Sequence, residues 1–328
     1  MTSSGDLPRT LSVVIPTFQR PDWIKRAVGS LARQTRLPDE VVVVMRDTDE
    51  PTHRSVDELR ASGLPFVLRS TTVSQPGFMP PVQAGLALAT GEVVAVMDDD
   101  AELIECSLEL ILPLYGDPTV GAVGGRCIDI EPDGNPREVP DADRVGYVTT
   151  FGRFVGDMYK RPRFSAPVDV EFLMGGCMSY RREVAQKLEF DLELNHNVSF
   201  GYETDLGLQV RAMGRRILFH PEVGIRHYGA PRQVAGMRSA HDAEAVEWST
   251  YNHLRVVMRR LRSFKRAVAM GYMFAIGYRY APGLLPLGVA PLARRMGFQV
   301  DMAGPAFRGR SAAVQRHVRD LVTKLIGR

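Results

Sequence analysis

The chain has 328 residues, of which 45% are hydrophobic and 24% charged, and its net charge is +3. That length allows one large domain or two smaller ones with a sizeable core, and the composition is ordinary for a soluble globular protein. Cys106, Cys127 and Cys177 are an odd, sparse set without paired spacing; this argues against a disulfide framework and a zinc site and fits a reducing, cytoplasmic setting.

The N-terminus, MTSSGDLPRT, has no basic region followed by an apolar core, so no signal peptide is expected. LSVVIP (11–16) reads as a strand, and PDWIKRAVGSLARQ as a helix whose Trp23, Ile24, Ala27, Val28 and Leu31 recur at helical spacing. EVVVVM (40–45) is a continuous apolar run of the kind buried on both faces. A helix over 52–63, the strand PFVLRS, a helix over 80–91 and the strand EVVAVM (92–97) follow. This alternation predicts a parallel α/β sheet, whose ligands bind beyond the carboxyl ends of the strands. Two polar clusters fall at that edge: PTFQR after the first strand and DDD after the fourth.

A helix is expected from about 102 to 115, then the strand VGAVGGRCIDIE, and mostly loop over 131–167. VDVEFLMGGCMSYRREVAQKL reads as strand, glycine turn and helix; YETDLGLQVRAMG reads as a helix; RRILFHPEVGIRHYG reads as two short strands. From 235 to about 280 the pattern is helical, and a last helix is expected at about 310–326. The most apolar stretch, 267–278, is bracketed by Arg266 and Arg279 at about half a membrane span.

Charge is unevenly spread. Residues 251–328 hold 15 Lys plus Arg against Asp301 and Asp320, so an acidic body carries a basic, partly apolar tail. Such a tail suits an anionic membrane surface, with lipid rather than nucleic acid as the expected partner. The alternative is a helical cap whose arginines bind acidic residues of the body or of a second subunit in a homo-oligomer.

On an extended chain alternate side chains share a side, so Asp98 and Asp100 converge while Asp99 points away. Paired carboxylates suit a hard cation such as Mg²⁺ or Mn²⁺ bridging to substrate phosphates. The plainer reading is capping of a helix beginning near Ala101, and Asp99 suits that task. Glu203 and Asp205 open a predicted helix, where one caps and the other serves as a general base. His227 follows a strand and either completes the metal site or is structural. Cys177 reads as a small packed residue rather than a nucleophile.

Five stretches in order then resemble the family-2 type of inverting glycosyltransferases with the GT-A fold. They are SVVIPTFQRPDWIKRAVGSLARQT, GEVVAVMDDDAEL, FLMGGCMSYRREV, YETDLGLQVRAMG and VGIRHYG, spanning about 11–230. The resemblance implies a GT-A (Rossmann-like), mostly parallel sheet flanked by helices, with a helical basic extension. It divides the chain into a nucleotide-sugar-binding half (1–125), an acceptor and catalytic-base half (126–235) and the extension (236–328). It also implies a nucleotide-diphospho-sugar donor, a glycan or lipid-linked acceptor and a divalent metal, Mn²⁺ or Mg²⁺.

Carried over by position, Pro16, Thr17 and Arg20 line the nucleotide site, Asp98 and its neighbour Asp99 belong to the donor side, and Asp100 and His227 hold the metal. Gly175 and Gly176 form the acceptor-side turn. Glu203 stands where the family places its base, with Asp205 as the alternative. The family usually carries an Asp-Asp-Gly-Ser-like run after the second strand; here it reads MRDTDE, and Asp47 is the candidate. PPVQAGLALATG lacks the common Ala-Arg-Asn pattern, and Gln83 stands near the usual polar position. The expected reaction is metal-assisted single displacement at the inner face of the membrane. Competing readings are a metal-dependent nucleotidyltransferase, whose glycine- and lysine-rich phosphate loop is not seen in PTFQRPDW, and a degenerate nucleotide-sugar or membrane-binding module.

Overall fold

The run LSVVIP forms strand β1 (Leu11–Pro16), with all six residues buried. The computed structural model describes residues 7–195, 200–230 and 242–326. Strands β2 (Glu40–Arg46), β3 (Val67–Val73) and β4 (Val93–Met97) lie parallel with β1 in the order β4–β1–β2–β3. The central strands are covered on both faces, so their apolar residues run continuously instead of alternating. Helices α1 (Pro21–Leu31), α2 (Glu50–Ala61) and α3 (Met79–Leu88) connect the strands, each with proline in its first turn, where the missing N–H breaks no helical bond. Helix α3 lies so near β1 that a Cβ at Gly85 would come within 2.2 Å of Val14 Cγ1.

Strand β5 (Ala101–Leu103) follows the aspartates, then helix α4 (Ser107–Leu114) and strand β6 (Val120–Asp129). The strand Cys177–Arg181 lies between β4 and β6, antiparallel to both. The strand Arg216–His227 runs parallel to β6, and Val168–Asp169 pairs with its other side. Among the described residues these strands make one nine-stranded, mostly parallel sheet, with β5 joined to Arg216–His227 off the main path.

Three local expectations are corrected. The helix expected from 102 opens as strand β5, and α4 begins only at Ser107. Backbone pairing of Ala101, Glu102 and Leu103 with the strand Arg216–His227 overrides the helical period of the local sequence. The two strands expected over 215–229 are one, with a register shift between Phe219 and Gly224. The last helix is longer than expected, Ala303–Ile326.

The described chain divides into two compact units. The first gathers Met1–Tyr147, Gly156–Phe190 and Leu206–Gln233, within the described residues, and holds the sheet. The second gathers Val148–Val155, Asp191–Asp205 and Val234–Arg328, on the same terms. Its helices Ala243–Arg260 and Ala303–Ile326 pack together, and Arg310, 1% exposed, donates to the carbonyls of Ala281 and Pro282. The helical expectation for 235–241 lies outside the described residues.

Many arginines of the basic segment are paired inside this second unit. Arg255 bonds Asp191 and Asp320, Arg259 bonds Asp191, Arg260 bonds Asp205, Arg308 bonds Glu247, and Arg316 bonds Asp320 and Glu193. Among the described residues no helix is long and apolar enough to cross a membrane.

Candidate active site

Asp98, Asp99 and Asp100 occupy the turn between β4 and β5, at the carboxyl end of a parallel strand. Antiparallel pairing sets His227 opposite Ala101. The imidazole Nε2 thereby lies 3.5 Å from Asp100 Oδ1. Asp98, Asp100 and His227 each offer one ligand atom, all within 4.8 Å of one another. Two further contacts fix Asp100: Tyr228 N–H donates to its carbonyl at 2.9 Å, and Ala230 N–H to its Oδ2 at 3.0 Å.

Asp99 does not serve a helix start, because no helix begins there. Arg20 donates to its Oδ1 at 2.5 Å and lies 3.2 Å from Asp100 Oδ2. Arg20 also donates to the Ala230 carbonyl at 3.2 Å, tying the end of β1 to the segment after His227. The residue before it, Gln19, adopts φ 55, a left-handed conformation unusual outside glycine. Its N–H donates to the Asp49 carboxylate, which also caps α2 by accepting from Thr52 N–H.

Burial dominates the electrostatics of the carboxylates. Burial and then the neighbouring Asp100 push the Asp98 carboxyl up to about 6. Burial likewise holds Asp99 above its ordinary value despite Arg20. At His227 burial opposes the charge, but hydrogen bonds to Asp100 and Asp129 outweigh it and raise the imidazole to about 9. Two carboxylates and an imidazole gathered at one place match the donor set that hard or borderline divalent cations such as Mg²⁺ and Mn²⁺ accept.

The other sequence candidates are distributed as follows. Pro16 and Thr17 are buried at the end of β1, and Thr17 N–H donates to the Val44 carbonyl at 2.9 Å. Asp47 is exposed after β2, and Gln83 is exposed on α3. Gly175 and Gly176 are buried in the turn before the strand Cys177–Arg181. A Cβ at Gly176 would come within 2.4 Å of Asp98 Oδ2, so glycine there leaves room for the carboxylate. Cys177 is buried in the core, and burial pushes its thiol up to about 12, which rules out an activated thiolate.

Glu203 is half-buried in the first turn of the helix Tyr202–Ala212, in the second unit. Asp205, two residues on, is 1% exposed and accepts two hydrogen bonds from Arg260, at 2.7 and 3.0 Å. That fork geometry gives Asp205 a structural task.

Sequence reading missed Asp129 and Asp49. Asp129, at the end of β6, bonds His227 Nδ1 at 2.9 Å and so orients Nε2 toward Asp100. The strand expected over VGAVGGRCIDIE includes it, but only the pairing of His227 with Asp129 shows its use. Asp49 had a legible signal: it precedes the proline-bearing first turn of α2, the usual place of an N-cap.

The model for Glycosyl transferase family 2 matches residues 12–189. The chain belongs to this family. It is 26% identical over 256 residues to the O-antigen biosynthesis protein RfbC of Myxococcus xanthus, covering 74% of this chain and 19% of that protein. It is 28% identical over 127 residues to the GalNAc(5)-diNAcBac-PP-undecaprenol beta-1,3-glucosyltransferase of Campylobacter jejuni subsp. jejuni serotype O:2, covering 38% of this chain and 40% of the other. The chain thus spans less than half the length of both curated relatives. Among solved structures, the mannosyltransferase PcManGT from Pyrobaculum calidifontis, in complex with GDP-Man and Mn²⁺, superposes with TM-score 0.57 at 17% identity, over 97% of this chain and 91% of that one. Such a likeness shows the fold, which is GT-A.

Proposed function

We propose that this chain transfers a sugar from a nucleotide-diphospho-sugar to a hydroxyl of a glycan or lipid-linked acceptor, inverting the anomeric centre. The observation that carries this reading is the meeting of Asp98, Asp100 and His227 at the ligand end of the sheet. Asp100 and His227 would hold a divalent cation, with Asp98 facing the donor sugar or ribose. When bound there, Mn²⁺ or Mg²⁺ supplies charge neutralisation for the departing diphosphate. Arg20 holds Asp99 and Asp100 in place and adds a second positive charge beside them. Glu203 accepts the proton of the acceptor hydroxyl as that oxygen attacks.

The relatives' names, one for O-antigen biosynthesis and one for a glycan on PP-undecaprenol, support a lipid-linked acceptor. So does the surface of the second unit. Leu284, Leu285, Leu287, Val289, Leu292 and Met296 are 44% to 63% exposed in one short stretch, near the exposed Arg279 and Arg295. Apolar side chains with flanking arginines suit the interface of an anionic bilayer, which supports a peripheral position on the cytoplasmic face.

The test is thermal unfolding with UDP-, GDP- and dTDP-sugars, each with and without Mn²⁺, because a ligand of the native state raises its stability by mass action. One nucleotide is expected to stabilise the protein, and only with the metal. Wild type and E203Q should respond alike while E203Q loses turnover. No stabilisation by any pair, or full turnover in E203Q, would remove the reading or its base.

A further inference from the structure

Beside the metal-ligand cluster the first unit has a cleft of about 290 Å³, lined by Arg126, Asp129, Arg137, Glu138, Tyr159 and Arg161 among others. That is about ten times the roughly 30 Å³ a water occupies in the liquid. Asp129 joins the two places: it lines the cleft and bonds His227. Two of the three arginines have carboxylate partners. Arg137 bonds Asp129 and Glu131, and Arg161 lies 3.2 Å from Asp141. Arg126 has none among the described residues, and its buried Nε donates to no protein atom. Burial and then the charge of Arg161 both press against the charge on Arg126. A buried donor left unmade is costly, and a guanidinium is a rigid fork suited to planar or tetrahedral oxyanions. The cleft therefore holds a half-buried guanidinium with no carboxylate partner among the described residues, its terminal nitrogens the ones a ligand could reach.

We propose that this cleft binds an oxyanion carried by the acceptor, with Arg126 as the principal donor and Arg161 beside it. The inference rests on the glycosyltransferase reading for the word acceptor, but not for the anion site itself. Phosphate and carboxylate share the recognising chemistry. The first would come from a phosphate- or diphosphate-linked acceptor, the second from an acidic sugar.

The test is calorimetric titration of the full chain, in EDTA, with inorganic pyrophosphate, phenyl phosphate and glucuronate. At least one should bind, with R126Q weakening it by about tenfold or more and R126K retaining part of the affinity. Binding of the phosphates alone assigns a phosphorylated acceptor; binding of glucuronate alone assigns an acidic sugar. Absence of binding by all three, or equal affinity in R126Q, overturns the proposal. If R126Q does not fold, R161Q carries the same comparison from a residue whose side chain is 69% exposed, with a smaller loss expected and an unchanged affinity again overturning it. Nucleotide-sugar stabilisation in Mn²⁺ is read separately. Its absence with anion binding intact would remove the catalytic reading and leave the cleft assigned.

Discussion

Asp205 and Glu203 stand two residues apart on one helix; the structure ties Asp205 to Arg260, and Glu203 is the base we propose. Substituting Asp205 by alanine removes the acidic half of a forked ion pair whose carboxylate is 2% exposed and whose guanidinium is 17% exposed. Breaking a buried pair costs roughly 3–5 kcal/mol, and because Arg260 still reaches some water the lower end, about 3 kcal/mol, applies here. For a chain of this size that lowers Tm by about 4 °C. E203Q removes a charge from the first turn of a helix, worth about 0.5 kcal/mol and less than about 1 °C, while it removes the proposed general base, worth roughly 10²–10⁴ in rate. Calorimetric unfolding reads the first effect, and nucleoside-diphosphate release from the donor reads the second. The reasoning is refuted if D205A keeps its Tm and loses turnover, or if E203Q loses several degrees and keeps its rate.

D129N should weaken Mn²⁺ binding by roughly 10- to 100-fold, because the carboxylate that orients the imidazole proposed as a ligand is lost; titration followed by electron paramagnetic resonance measures this, and unchanged affinity removes Asp129 from the site. His253 is 1% exposed, bonds the Gly152 carbonyl at 2.7 Å, and is pushed by burial down to about 4. The unfolded imidazole titrates near 6.5, so the unfolded chain takes up the proton first. The contribution is complete above pH 6.5 and is lost as pH falls toward 4, by about 3 kcal/mol. Urea unfolding of H253F should show a correspondingly shallower pH slope over that window, and an identical slope would exclude His253 as its source. The full chain should sediment with anionic vesicles at moderate salt, and L285D/L292D should reduce this; no sedimentation of wild type sinks the interfacial role of 284–296.

Much of the first unit was legible in the chain itself. Strands buried on both faces must be apolar throughout, and helices between them must be amphipathic, so β1 to β4 and α1 to α3 read directly from LSVVIP to EVVAVM. The DDD turn could be placed at the ligand edge because that edge follows from parallel order alone. What followed the aspartates could not be read. AELIECSLELILPL has a helical period, yet Ala101–Leu103 becomes a strand because a distant partner, Arg216–His227, supplies its hydrogen bonds. The same pairing carries His227 to Asp100, and the neighbouring one carries it to Asp129.

Charge shows the same division. Composition alone establishes that 251–328 is basic, since counting needs no geometry. That several of its arginines serve Asp191, Glu193, Asp205 and Glu247 is a matter of distance, as is the lack, among the described residues, of any partner for Arg126 Nε. Short-range pattern determines which segments are helix or buried strand, because those depend on neighbours three or four residues away. Which carboxylate is a ligand, which is a cap and which is half of an ion pair depends on groups a hundred residues off, and folding alone brings those together.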